Sequence, residues 1–297
     1  MLLCVSDAFL ALDTSHVAPL HAVLTASVAQ SVHDPLGRVA CWRLESLSSE
    51  DMSRLKAWAR TSGVSIAFFE RLPKWRDFSV LMTDMDHTLI DADVLKELAV
   101  FADQEEAYKA ILAALSNGML SFEASLKERA TLLKGLPEDR IQKVVSGLTF
   151  NPGIVALLDE ARQQGLRTYV LSSGIDDIAQ PLSEMLSMTG AIANHLDIRN
   201  GRLTADIKGP LGGPLLDASG KCSQMTRISK ALSTKGPDSA FCCGDSGNDA
   251  LMLKAAGMGV SFYGSSSAVE AANVNINSGG FEWILDLLKL HERLAVE

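Results

Sequence analysis

Basic residues are the scarcer charge in this chain: 27 lysines and arginines stand against 36 aspartates and glutamates, leaving a formal net charge of -9. That balance disfavours nucleic acid as a partner, because binding to a phosphate backbone is carried by clustered cations. Cysteine is also sparse. Cys4, Cys41, Cys222, Cys242 and Cys243 form an odd set without a CxxC spacing, which suggests neither a disulfide framework nor a zinc site and points to a reducing compartment. No apolar run reaches about 18 residues before a polar or charged one interrupts it, and the amino terminus lacks a basic n-region. The expectation is a soluble, cytoplasmic protein with no membrane association. Solenoid-period repeats and low-complexity tracts are missing too.

What remains is ordinary globular material. The 297 residues are 47% hydrophobic and 21% charged, a composition that argues against dominant disorder and a length that suits about two domains. From Leu2 to about Pro73 the pattern reads as a β-α-β-α-β module: strands at Leu2 to Val5, Val39 to Leu44 and Val64 to Glu70, helices at His16 to Ser31 and Ser49 to Thr61. Nothing there gathers carboxylates, histidines or glycines, so the module reads as architectural. Pro73-Lys-Trp-Arg-Asp77 is the candidate linker.

Beyond it, Phe78-Ser-Val-Leu-Met-Thr83 reads as a buried strand that ends directly in Asp84-Met-Asp86-His-Thr88. A helical stretch follows from Asp93 to about Val145. From Gly153 onward helices and strands alternate, the signature of a parallel sheet: helices at Gly153 to Gln164, Asp176 to Leu186 and Asp249 to Ala255, strands at Arg167 to Ser172, Ala240 to Cys243 and Gly257 to Phe262. Asn200-Gly201, between two strand-like runs, predicts a type I′ hairpin. The expected division is an amino-terminal module over 1–74 and a sheet-based core over 78–297, with a helical insert at about 92–150.

Parallel sheets bind ligands beyond the carboxyl ends of their strands, and three strand exits here carry polar groups. Asp84 and Asp86 follow one, Ser172-Ser-Gly174 another, and Gly244-Asp-Ser-Gly-Asn-Asp249 a third. Two aspartates at i and i+2 can divide the work of nucleophile and acid/base, provided a cation offsets their repulsion. Asp245 and Asp249 add hard oxygen ligands suited to Mg²⁺. Lys221, just before the helical stretch Cys222 to Leu232, brings a fixed positive charge, with Lys208 as its competitor for that place.

At these residues the chain resembles the haloacid dehalogenase-like phosphohydrolases, whose first motif DxDxT falls on Asp84, Asp86 and Thr88. Their later motifs fall on Ser172, on Lys221 and on Gly244-Asp245-Ser-Gly-Asn248-Asp249. The helical insert, with Phe122-Glu-Ala-Ser-Leu-Lys-Glu-Arg129, is similar to the cap of phosphoserine phosphatases. The amino-terminal module is similar in pattern to an ACT-like, ferredoxin-type α+β extension. The resemblance implies an α/β fold: a Rossmann-like core, a helical cap and a small α+β domain.

It also implies Asp84 as nucleophile and Asp86 as acid/base. Mg²⁺ would be held by Asp84, the Asp86 backbone carbonyl and Asp245, while Ser172, Ser173, Gly174 and Lys221 would hold the phosphate. Asn248 and Asp249 would orient this shell, and Asp93, Phe122, Arg129 and Asn248 would contact the substrate. A small phosphate ester, O-phospho-L-serine first, is the implied substrate.

Several positions depart from that pattern. Asp93 replaces a glutamate, Ser116 a methionine, His87 a serine and Ser173 a glycine. Asp93, Ser116 and His87 favour the alternative of another small phosphate ester, either hydrolysed or passed to an acceptor alcohol. A phosphoacceptor or ligand-sensing regulator is the further alternative, and the amino-terminal module admits a homodimer. Glu123, beside Phe122, has two readings, a pocket residue or one half of an exposed helix-face pair. Gly244-Asp-Ser-Gly247 is also similar to the nucleophile segment of trypsin-like proteases, but the helical flank and Asn248 argue against that reading.

Overall fold

A computed structural model describes residues 1–6, 18–33 and 39–294. Its amino-terminal part runs β1 (Leu2–Ser6), α1 (Ala18–Ser27), β2 (Val28–His33), β3 (Val39–Leu44), α2 (Ser49–Ser62) and β4 (Ile66–Phe69). Then come β5 (Val80–Thr83) and the helical insert α3 (Val94–Phe101), α4 (Glu105–Ser116), α5 (Phe122–Leu132) and α6 (Asp139–Gly147). The remainder is α7 (Ile154–Gln163), β6 (Arg167–Ile175), α8 (Asp176–Met185), β7 (Gly190–Arg199), β8 (Arg202–Lys208), α9 (Ala218–Leu232), β9 (Ala240–Gly244), α10 (Ala250–Ala255), β10 (Met258–Phe262), α11 (Ser266–Ala271), β11 (Val274–Ile276) and α12 (Glu282–Leu294).

The eleven strands among the described residues join one sheet in the order β2-β3-β1-β4-β11-β10-β9-β5-β6-β7-β8. The six from β11 to β7 are parallel. β5 sits inside this block with Val80, Leu81 and Met82 fully buried, as expected of a strand covered on both faces. Its exit, with those of β6 and β9, falls on one edge of the sheet. That edge is the α/β site position the sequence pattern anticipates.

Local signals explain the boundaries that were legible. Ser48 caps α2 by accepting from the Asp51 amide, and Gly63, at φ 64°, ends it in the left-handed conformation. Asn200 and Gly201 have φ of 53° and 72°, and Arg199 pairs with Arg202 across the turn, as the predicted hairpin requires.

Three expectations need correction. The helix expected from His16 to Ser31 stops at Ser27, and Val28–His33 pairs antiparallel with β3 as a strand. His16 lies outside the described residues. The carboxyl-terminal elements α11, β11 and α12 were not anticipated; β11 has only three residues, too few to show a period.

The third correction concerns cysteine. Cys4 and Cys41 are joined as a disulfide, because the antiparallel register of β1 and β3 sets them directly opposite, with their Cα atoms 4.2 Å apart. Their separation of 37 residues carries no hint of this in sequence. The cysteine argument for a reducing compartment therefore loses its basis. Cys242 and Cys243 are buried thiols on β9, as expected.

The segment expected to link the two parts is pinned rather than slack. Arg71 donates two hydrogen bonds to Asp77, both at 2.8 Å, and Trp75 is buried. β4 pairs antiparallel with β11, so the sheet runs through the expected boundary. One apolar core likewise extends from Leu2, Phe69 and Trp75 to Leu81 and Phe241. No helix among the described residues is long and apolar enough to cross a membrane.

Phe241 belongs to this core, fully buried on β9 with its ring 5.7 Å from that of Phe78. Phe241→Ala should cost about 3–5 kcal/mol, read as a lowered midpoint in urea or thermal denaturation. An unchanged midpoint would mean that this core does not hold the fold together.

Candidate active site

β5 ends at Thr83, and the amide of Asp84 continues the ladder by donating to Cys243 O at 2.9 Å. This sets the Asp84 carboxylate at the sheet edge, 7% exposed. The chain then turns sharply: His87 adopts φ 56°, and Asn151 Nδ2 donates to Thr88 O at 2.9 Å, fixing the loop to the segment beyond α6.

Lys221 enters from the first turn of α9, where Asp217 caps the helix by accepting from the Gly220 amide at 2.8 Å. Its ammonium lies 2.7 Å from Asp84 Oδ1 and 2.7 Å from Asp249 Oδ1, and the side chain is almost wholly buried. Lys208, its competitor in the sequence, sits instead on β8 against Asp206.

Asp249 is buried and saturated. Oδ1 accepts from Lys221, while Oδ2 accepts from the amide and hydroxyl of Ser246 at 3.0 and 2.8 Å. The side chain packs so closely on Gly244 that a Cβ there would lie 2.5 Å from Asp249 Cβ and Cγ, which is why a glycine closes β9. Asp249 thus shapes the loop carrying Asp245 and positions Lys221.

On the β6 side, Ser172 is buried and its Oγ accepts from the Gly174 amide at 3.0 Å. The Gly174 N–H, expected to face an anion directly, is therefore engaged locally, and it orients a hydroxyl whose own proton is free for a ligand. Ser173 bonds to Leu216 O at 2.6 Å and receives Asn248 Nδ2 at 2.5 Å, tying the exits of β6 and β9 together.

These exits surround a cavity of about 140 Å³. Asp84, Asp86, His87, Ser172, Ser173, Gly174, Asp245 and Asn248 line it from the strand exits, Lys221 from α9, and Phe122 and Arg129 from α5. Of the residues singled out in the sequence, Thr88, Asp93, Ser116, Glu123, Lys208 and Asp249 do not line it. Glu123 pairs with Lys127 at 2.6 Å on the exposed face of α5, and Ser116 is exposed. Asp93 caps α3 by accepting from the Lys96 amide. Sequence reasoning missed Leu95 and Ser246 in the lining, and Tyr108 behind it. Each is an ordinary helix or loop residue without a local signal.

Four carboxylates, Asp84, Asp86, Asp245 and Asp249, meet a single ammonium in this buried space. Burial first, and then the Asp249 charge, push the Asp84 carboxyl up to about 7 against the pull of Lys221; the same causes push Asp245 up to about 7. Asp86 is held well above the carboxylate range by burial, then by Asp93 and Asp84. Burial alone would lower Lys221, but Asp249 and Asp84 outweigh it and hold the ammonium charged. The excess of negative charge calls for protons or a cation.

A cation fits. Carboxylate oxygens of Asp84, Asp245 and Asp249 lie within 4.8 Å of one another. With both oxygens of Asp249 already engaged, Asp84 and Asp245 are the open donors, and hard oxygen donors of this kind suit a divalent ion such as magnesium. Asp86 Oδ1 is buried without a hydrogen-bond partner, so the acid on this loop is left for a ligand to engage. A second group, Asp176, Asp177 and His195, also brings ligand atoms together but lines no part of this cavity.

Comparison with known proteins agrees with this geometry. A family model described as haloacid dehalogenase-like hydrolase matches residues 81–254. The phosphoserine phosphatase of Haemophilus influenzae is 31% identical over 233 residues, covering 78% of this chain and 72% of that protein. A solved phospho-aspartyl intermediate analogue of phosphoserine phosphatase is 28% identical, with a TM-score of 0.64, and covers 72% of this chain and 100% of that one. A haloacid dehalogenase family hydrolase from Salmonella enterica serovar Typhi, 24% identical, covers 97% of this chain and 98% of its own with a TM-score of 0.78, a likeness of fold.

The shifted carboxylates have a measurable consequence. Asp84 and Asp245 bind protons more tightly folded than unfolded, so their contribution to stability is present below the ordinary value of 3.8 and is lost as pH rises towards about 7. In EDTA the thermal midpoint should therefore fall across that range relative to a variant carrying Asp84→Asn and Asp245→Asn. A divalent cation should restore it at the upper end only. Parallel profiles for chain and variant would show that the cluster is not under this strain.

Proposed function

The chain belongs to the haloacid dehalogenase-like hydrolases, and from that premise we propose that it hydrolyses small phosphate monoesters, O-phospho-L-serine foremost, through an aspartyl-phosphate on Asp84. The observation that carries this reading is the buried bridge of Lys221 between Asp84 and Asp249, beside a cavity that Asp86 also lines with its Oδ1 free of any hydrogen-bond partner. Similarity to phosphoserine phosphatases supports the substrate.

In the first step an Asp84 carboxylate oxygen attacks phosphorus. The ester oxygen departs with the proton of Asp86, whose raised affinity for protons suits it to begin as the acid. In the second step the Asp86 carboxylate takes a proton from water as that water attacks phosphorus, freeing Asp84 and releasing phosphate. The Ser172 hydroxyl and the Lys221 ammonium stabilise the phosphoryl oxygens, with Ser173 and Asn248 holding the loops that surround them.

Asp84, Asp245 and the backbone carbonyl of Asp86 would hold Mg²⁺, which when bound offsets negative charge between the carboxylates and the phosphate. Arg129 and Phe122, on the helical insert at about 92–150, close the cavity opposite the sheet and contact the remainder of the substrate. The insert then acts as a cap that excludes water from the first step. The division into 1–74 and 78–297, the cytoplasmic location and a homodimer stand as parts of the same proposal. Sedimentation tests the homodimer, and thiol blocking at lysis tests whether Cys4 and Cys41 are joined in the cell.

Phosphate release from O-phospho-L-serine should depend on Mg²⁺ and cease in EDTA. Asp84→Asn should abolish it, and Asp86→Asn should lower kcat by about 10²- to 10⁴-fold, the usual worth of a positioned acid/base. Full activity in Asp86→Asn would remove that residue from the chemistry. An inactive wild type with every ester would defeat the proposal.

A further inference from the structure

Tyr108 is fully buried in α4, yet its hydroxyl joins two charged side chains. It lies 2.8 Å from both carboxylate oxygens of Asp93 and 3.2 Å from Nη1 of Arg129, whose guanidinium carbon is 5.7 Å from the ring centroid. A phenol has one proton, so it donates to Asp93 and accepts from Arg129. Burial and the Asp93 charge hold the phenol above its ordinary range, keeping that proton in place.

The two charged groups are used unequally. Asp93 accepts from Tyr108 and from the Lys96 amide at 3.1 Å, and it does not line the cavity. Arg129 does line it. The guanidinium is bonded to protein through Nε, to Ser125 O at 3.3 Å, and through Nη1, while Nη2 has no protein acceptor among the described residues. The lining carboxylates, Asp84, Asp86 and Asp245, all belong to the reacting end. The rest of the lining includes Arg129, His87, Ser246, Asn248 and the apolar Leu95 and Phe122, with no further carboxylate.

We infer that the pocket selects the carboxylate of a phosphorylated small acid and makes no demand for an ammonium group, Tyr108 being the residue that withdraws Asp93 from the substrate. The enzyme therefore also hydrolyses phosphate monoesters of hydroxy acids that lack the amino group. A site rejects an analogue missing a polar group when its own buried partner is left unpaired. Here Asp93 keeps the phenol and the Lys96 amide whichever ester is bound, so the missing ammonium incurs no such penalty. The inference rests on the phosphatase reading and sharpens its substrate class.

The test compares O-phospho-L-serine with its desamino analogue, 3-phosphooxypropanoate, and with phosphoethanolamine, which keeps the ammonium and lacks the carboxylate. The desamino ester should stay within about 10-fold of phosphoserine in kcat/KM, and phosphoethanolamine should fall about 100-fold or more below both. In Tyr108→Phe, which keeps the ring, Asp93 loses its phenol, and preference for phosphoserine over the desamino ester should rise about 10-fold.

A wild-type preference for phosphoserine above about 100-fold over the desamino ester, or an unchanged ratio in Tyr108→Phe, overturns the inference. Calorimetric binding of the three esters to Asp84→Asn separates this failure from that of the catalytic reading. The desamino ester binding more tightly than phosphoethanolamine supports the pocket assignment even if no ester turns over, and the reverse order overturns it.

Discussion

Lys221 holds the site together. Its ammonium stands between Asp84 and Asp249, at 2.7 Å from each, in a space from which water is nearly excluded. Two carboxylates brought this close would repel one another or take up protons without it, and a lone buried ammonium would itself be driven neutral. The remaining geometry follows from that bridge. Asp249, fixed by Lys221, uses its other oxygen to shape the Ser246 turn, and the turn presents Asp245. The bridge also leaves the cluster short of positive charge, a deficit that a divalent cation would offset.

A different constraint governs the insert. Helices α3, α4 and α5 come together over a buried phenol that ties Asp93 to Arg129, so the far end of the cavity is organised by one neutral group shared between opposite charges. Such a link orders both side chains and sets how much of each charge a substrate meets. In the proposed reading, chemistry at the sheet edge and selection at the insert are therefore separate problems. The first is solved by strand exits and the second by helix packing.

How much of this was legible in sequence follows the same line. Asp84, Asp86, Lys221 and Asp245 were readable because each sits just past a strand or in the first turns of a helix, and Ser172 because it falls where the β6 ladder is interrupted after Leu171. Arg129 was readable from its motif, whereas Glu123 was not resolved between pocket and surface: both lie on α5, and packing decides which turn of the helix faces inward. The helix expected to reach Ser31 gave way to β2 because pairing with β3 overrides local helical preference. The Cys4 to Cys41 bridge escaped notice for a similar reason, since only the β1 to β3 register brings those positions together.

Short-range information, then, specified the alternation of strands and helices, the acidic strand exits and hence the class of chemistry, because those features depend on neighbours a few residues apart. Tyr108 between Asp93 and Arg129, the withdrawal of Asp93 from the cavity, the saturation of Asp249 and the pairing of β4 with β11 came only with the assembled chain. Their partners lie 15 and more residues apart in three of these cases, on elements whose approach is set by burying a common core, and in the fourth the loop must close before the bond can form.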